Sequence, residues 1–234
     1  DGHNKEKKDY EEENTMAMIY RNHVEFAAGH GVAVHADVLP DDPKRAVKIS
    51  TRAIPSYEVP QTRPPAASEI PGLVLDMKTL ASEENPVELI KPLLKAYEEW
   101  MKKQQSRIDI PSEYLTEYRN TAHLVLEDCK EALERIREGL DLLKKDSKAL
   151  KAFRFMNLAM AEQRIHTIYS ERARRGEKTD IKTFDIPENR TWYPFQLAFI
   201  LINLPSLTDL HHKDREKNSR SIADLLWFPT GGGK

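Results

Sequence analysis

The residues best equipped for chemistry stand at the end of the chain. Leu225-Leu226-Trp227-Phe228-Pro229 runs into Thr230-Gly231-Gly232-Gly233-Lys234. An apolar strand that enters a glycine-rich turn closed by a lysine is how a phosphate-binding loop begins. There a ring of backbone N–H groups and one ammonium hold the phosphate oxygens. Glycine lets the backbone curl until several N–H groups point inward. On this reading Thr230, Gly231, Gly232 and Gly233 cradle phosphate and Lys234 is the catalytic cation. Phe228 occupies the place of the motif's first glycine, and the hydroxyl residue that would ligate Mg²⁺ falls after Lys234. The competing reading, a flexible glycine tail, gives no role to the apolar strand and Pro-Thr before it.

A second candidate lies upstream in Arg190-Thr191-Trp192-Tyr193-Pro194-Phe195-Gln196-Leu197-Ala198-Phe199-Ile200-Leu201. Pro194 suits the first turn of a helix. The stretch from Phe195 to Leu204 is apolar nearly all round, as a buried helix would be, and Pro205 is expected to end it. Phe195 beside Gln196 suits an adenine: the ring stacks on the base, while the amide donates to and accepts from its edge. The alternative is a core helix whose glutamine satisfies a backbone group. Proximity to a phosphate loop favours adenine.

Together, Phe195-Gln196 and Pro229-Thr230-Gly231-Gly232-Gly233-Lys234 resemble the Q motif and motif I of superfamily 2 helicases, where the replaced first glycine is usual. The segments Asn189 to Asp209 and Ala223 to Lys234 further resemble the helicase subunit of the bacterial antiphage system DISARM, the DrmA-like family. So do Phe153 to His166, Pro71 to Lys78 and Asn22 to Asp37. The resemblance implies an ATP-dependent DNA helicase or translocase that restricts phage. Its cofactors would be ATP and Mg²⁺, and its partners DNA and a second, DrmB-like DISARM subunit. It also implies that the chain is an N-terminal fragment ending at motif I. The metal-holding acid, arginine finger and second lobe would lie outside it, so the fragment alone is expected to be inactive.

The elements that must position these residues are legible as patterns. Residues 1–15 are charged and expected to fray. In 16–60, Val32, Val34, Ala36 and Val38 alternate with polar residues, as do Val47, Ile49 and Thr51, which reads as two half-buried strands joined at Pro40-Asp41-Asp42-Pro43. Residues 61–86 form a Pro-rich connector. Residues 87–176 read as an antiparallel bundle of three helices. The first carries Leu89, Ile90, Leu93, Leu94, Tyr97, Trp100 and Met101 on one buried stripe, with Pro92 in its first turn or at a kink. The second carries Leu115, Tyr118, Ala122, Val125, Cys129, Ala132, Ile136 and Leu140, with Ser112 as cap. Asp146-Ser147 recaps the third, which Arg174-Arg175-Gly176 closes. Residues 177–234 are expected to open a RecA-like α/β P-loop domain, with His211 to Asn218 as an exposed, mobile insert. The fold class is therefore α+β, mostly α: a small β-hairpin, a helical bundle, and the opening helix and strand of the RecA-like domain.

Charge narrows the partners. A net charge of −2, from 36 basic and 38 acidic residues, argues against a surface that coats DNA. It leaves room for a local basic groove, for which Arg172, Arg174, Arg175 and Lys178 are the candidates, ahead of Lys144, Lys145, Lys148 and Lys151. Neither cluster has an aromatic platform interleaved in sequence. His23, His30 and His35 near Glu25 lack metal-ligand spacing, and no metal is expected. The single cysteine, Cys129, cannot form an internal disulfide, and no apolar run is long enough for a membrane span. A cytoplasmic protein is expected.

Overall fold

The computed structural model describes residues 2–28, 30–52, 66–215 and 221–224. Among these it is mostly helical, with one two-stranded antiparallel sheet. The elements in order are α1 (Gly2–Ile19), β1 (Ala33–Leu39), β2 (Asp42–Arg52), α2 (Met77–Ser82), α3 (Pro86–Arg107), α4 (Arg119–Lys145), α5 (Ser147–Arg174) and α6 (Pro194–Thr208), with short 3₁₀ turns between them. None of the described helices is long and apolar enough to cross a membrane. The chain divides into two compact units, and the division falls inside α3 and α4: residues 1–61 with 101–129, and residues 62–100 with 130–234.

In the first unit the charged N-terminal run, expected to fray, is helical. Asn14 and Thr15 each donate a side-chain hydrogen bond to the backbone carbonyl one turn earlier. The hairpin turns at Pro40-Asp41 as expected, and its register sets Ala36 opposite Ile49 and Asp37 opposite Lys48. Between Lys48 and Ala46 the ladder skips Val47, a bulge. The strands are less buried than their alternation predicts. Val38, Val47 and Ile49 are exposed, because among the described residues of this unit no layer covers the apolar face. The small core joins Met18, Ile108, Leu115 and Ala122. Polar contacts supplement it. Arg21 and Arg107 both bond Glu113, and the Lys44 ammonium sits 4.7 Å from the Tyr114 ring centroid. Ser112 does not cap α4. It lies in a 3₁₀ turn that Pro111 opens, and the α-helix proper starts at Arg119.

In the second unit, α2 to α6 and the extended segment before α2 close over one core. Leu75, Leu80, Ile90, Leu140, Phe153, Leu197 and Leu201 are among its buried members. Stretches on both sides of Gly176 therefore contribute to one interior. Asp146 caps α5 as expected, accepting from the N–H groups of Lys148 and Ala149. Gly176 takes the left-handed conformation that closes it, at φ 80°. Pro92 sits inside α3. One buried position is corrected: Trp100 is 45% exposed, since the stripe of α3 outruns its cover; Cys129 is half-buried.

Pro205 does not end α6, which continues to Thr208. A proline inside a helix leaves the carbonyl four residues earlier without its usual donor. Here that carbonyl belongs to Leu201, and it faces Gly139 of α4. A Cβ at position 139 would stand 2.2 Å from the Leu201 oxygen. Glycine thus lets the α4 backbone close on the carbonyl that proline has freed.

Candidate functional site

The segment from Arg190 to Gln196 is held from three sides. Residues 75–77 run antiparallel to it, with Asp76 bridged to Thr191. Met77 N–H donates to the Arg190 carbonyl, and Trp192 N–H donates to the Leu75 carbonyl, each at 3.0 Å. Below, the Trp192 indole N–H donates to Asn157 Oδ1 at 2.8 Å, while Asn157 donates to the Phe153 carbonyl at 2.9 Å. Asn157 is wholly buried, so both bonds form away from water.

At the edge, Arg190 Nε donates to Asp76 Oδ1 at 2.7 Å, and Arg190 also pairs with Asp185. Lys78 joins Asp185 at 2.6 Å and Glu162 at 2.9 Å. Asp76 is at the same time the cap of α2, accepting from Thr79 N–H and Oγ1. Burial alone would raise its carboxyl pKa, but hydrogen bonds from Thr79 and Arg190 outweigh it and hold the group below the ordinary carboxylate range. Lys78 is pushed up, chiefly by its hydrogen bond to Asp185.

This brace presents the first turn of α6. Pro194 is buried at the first helical position, as its fixed φ requires. The Gln196 side-chain oxygen accepts the N–H of Tyr193 at 3.1 Å, which caps the helix from its third residue. Phe195 is half-buried and lies parallel to Tyr193, with centroids 5.7 Å apart and planes 7° from coplanar. Tyr193 is the more exposed ring, at 48%. The nominated pair Phe195 and Gln196 is thus brought together beside an exposed aromatic that sequence reasoning passed over. The signal for it was the Tyr-Pro-Phe spacing, which puts two rings on either side of a helix start.

From α6 the chain folds back onto α4. The insert after His211, expected to be exposed and mobile, is partly buried through Asp214. Arg135 of α4 makes a bidentate bond to Asp224, at 2.6 and 2.7 Å, and its Nε stands 3.3 Å from Asp214 without hydrogen-bond alignment. Asp214 N–H donates to His212 Nδ1, and His212 Nε2 lies 3.1 Å from Glu138 Oε1. Polar composition hid this segment because its charges are spent on α4. The clasp fixes the chain at Asp224, one residue before Leu225. Thr230, Gly231, Gly232, Gly233 and Lys234 lie outside the described residues.

The basic candidates are spread over the end of α5 and beyond. Arg172 pairs with Glu177 at 3.1 Å, Arg174 bonds the Ser170 carbonyl, and Arg175 and Lys178 are exposed. A groove between α3 and α4 carries Lys91, Lys95, Arg137 and Lys144, but these sit beside Glu88, Glu99, Glu98 and Asp141. Paired charges of this kind make no net anion site. Among the described residues no cluster of His, Cys, Asp or Glu has metal-binding geometry.

No family model matches the chain. It is similar to the DISARM protein DrmA of Bacillus paralicheniformis, at 36% identity over 240 residues. That alignment takes in 98% of the chain and 20% of the relative, so the chain spans about one fifth of the length of the protein it matches.

Proposed function

We propose that this chain is the nucleotide-entry part of an ATP-dependent DNA helicase or translocase that acts, as a DISARM component, in bacterial defence against phage. The observation that carries the reading is the first turn of α6. It presents an exposed Tyr193 ring stacked on Phe195 beside the Gln196 amide, all on a turn braced by Trp192 and Arg190. An adenine needs a flat apolar face and a fixed amide, and this turn offers both. With one lone pair of Oε1 on Tyr193 N–H, the Gln196 amide has a set orientation, its NH₂ group held to donate. Gly231, Gly232 and Gly233 would cradle the phosphates with Thr230, and Lys234 would neutralise the charge that develops on them. On this reading Mg²⁺ would accompany the nucleotide, held mostly by residues outside this chain. The similarity to DrmA supports the defence role, and DNA and a second DISARM subunit would be the partners. The RecA-like lobe that follows from this reading would begin with α6.

The test is made in a full-length helicase of the kind this reading implies. Lys234→Ala abolishes ATP hydrolysis, because the lysine acts on phosphate. Gln196→Ala weakens ATP more than GTP, because the amide reads a base edge that differs between them. Equal loss for both nucleotides returns Gln196 to a purely capping role.

A second reading, a non-catalytic interaction or autoinhibitory module of a P-loop NTPase, is favoured by the exposed apolar residues of α5. It predicts that removing the helical region harms assembly more than ATP turnover.

A further inference from the structure

α5 is apolar on two opposite sides. Phe153, Asn157, Ala161 and Ile165 face the core of the second unit. Two residues along a helix is about 200° of rotation, so Phe155 stands on the far side from both Phe153 and Asn157. It is 71% exposed, and Leu158 beside it is 45% exposed. Ala152 and Ala159 complete an outer stripe with the spacing of a coiled-coil seam. A helix apolar all round is one that is covered all round. Here only one side is covered among the described residues.

The charges at the ends of the stripe say what fits it. Lys148 lies seven residues before Phe155 and Glu162 seven after, so all three share one face. The stripe therefore reads basic, apolar, acidic about a central ring. We propose that this face binds the same face of a second copy of the chain, as an antiparallel α5–α5 pair crossing at Phe155.

A two-fold axis there sets each Lys148 against the other copy's Glu162, each Ala152 against a Leu158, and the two Phe155 rings against each other. Such a contact is isologous and closes at two copies. A parallel pair would instead set lysine against lysine. Glu162 now pairs with Lys78, but Lys78 also holds Asp185 at 2.6 Å and keeps that partner if Glu162 turns outward. One helix face is a small interface, so the association is in the micromolar range or weaker, about where such contacts fall. The inference uses α5 alone and is independent of the nucleotide reading.

Sedimentation equilibrium of the 234-residue chain over a wide concentration range tests it. The weight-average mass is expected to climb from 27.0 kDa toward twice that value. Phe155→Glu puts two carboxylates at the axis and weakens association tenfold or more, with helical content and melting unchanged because the site is exposed. Lys148→Glu and Glu162→Lys each weaken it, and the two together restore it. In a Cys129→Ser background, Phe155→Cys forms an intermolecular disulfide under mild oxidation faster than Lys151→Cys, since only the axial position meets itself. A chain that stays monomeric throughout overturns the proposal and leaves the stripe to a partner of different sequence. So does association indifferent to Phe155→Glu, a double charge reversal that fails to restore it, or crosslinking no faster at 155 than at 151.

Discussion

The two units of the chain differ most in how large an apolar core each closes. Among the described residues the second, residues 62–100 and 130–234, closes sixteen buried residues into one core, whereas the first, residues 1–61 and 101–129, closes four. Burial scales with apolar area, so the larger core carries most of the stabilisation. The first unit supplements its small core with polar contacts, Glu113 between Arg21 and Arg107 and Lys44 against Tyr114, while the second adds the ion pairs of Arg190, Lys78 and Arg135 to a large one. Its hairpin leaves Val47 62% and Ile49 51% exposed. The difference teaches where precision is needed. The residues that brace Tyr193 to Gln196 all belong to the unit with the large core, which can hold a side chain to a fixed geometry.

The largest effect that would break this comparison is at Phe153. Phe153→Ala should cost the second unit roughly 3–5 kcal/mol, because a packed interior relaxes only partly around a lost ring. Denaturant unfolding followed by the fluorescence of buried Trp192 measures it. A loss under about 1 kcal/mol would mean that this core is loosely packed.

A smaller effect is expected with pH. In the second unit Asp76, Asp185, Glu138 and Asp224 all have carboxyl pKa values held below the ordinary range by their cationic and hydrogen-bonding partners. A group whose folded pKa is depressed contributes stability that is full above its unfolded value and is lost as pH falls through the folded one. The second unit should therefore lose stability only as pH drops below about 4. Asp76→Asn should lower neutral-pH stability and flatten that acid limb. An unchanged acid limb in melting experiments at stepped pH would remove Asp76 from the brace. In the first unit Glu113 is the one such carboxylate among the described residues, lowered chiefly by its hydrogen bond to Arg107.

The smallest effect sharpens the contrast. Ile49→Thr in the hairpin should change stability by no more than about 0.5 kcal/mol, since the side chain is already in water and threonine suits a strand. A loss of about 2 kcal/mol in chemical unfolding would show that the apolar hairpin face is covered in solution.

Local chemistry was legible in the sequence; distant partners were not. Asp146 as a cap, Gly176 as a terminator, Pro194 at a helix start and the turn at Pro40-Asp41 each follow from a residue and its immediate neighbours. Trp100 and Pro205 misled for the opposite reason. Periodicity cannot say where a stripe loses its cover, and Pro205 is tolerated inside α6, whose freed carbonyl meets a glycine sixty-two positions earlier in the chain, Gly139 against Leu201. Asp214 looked like loop because the charge that buries it, Arg135, is far away in sequence. At the candidate site, Phe195 and Gln196 were nominated from a short motif, and the structure places both in the first turn of α6. Tyr193, Asn157 and the pairing of 75–77 with 190–192 needed the fold.

The contact between Gly139 and Leu201 also constrains how this sequence can change. A side chain at 139 meets main-chain atoms, which cannot rotate away, so the helix that begins with Tyr193, Phe195 and Gln196 would have to move as a body. Any descendant that replaces Gly139 must therefore repack α6 against α4 in the same step. Recombination that joins this α6 to an α4 carrying a larger residue at 139 should therefore yield chains that fail at this seam first.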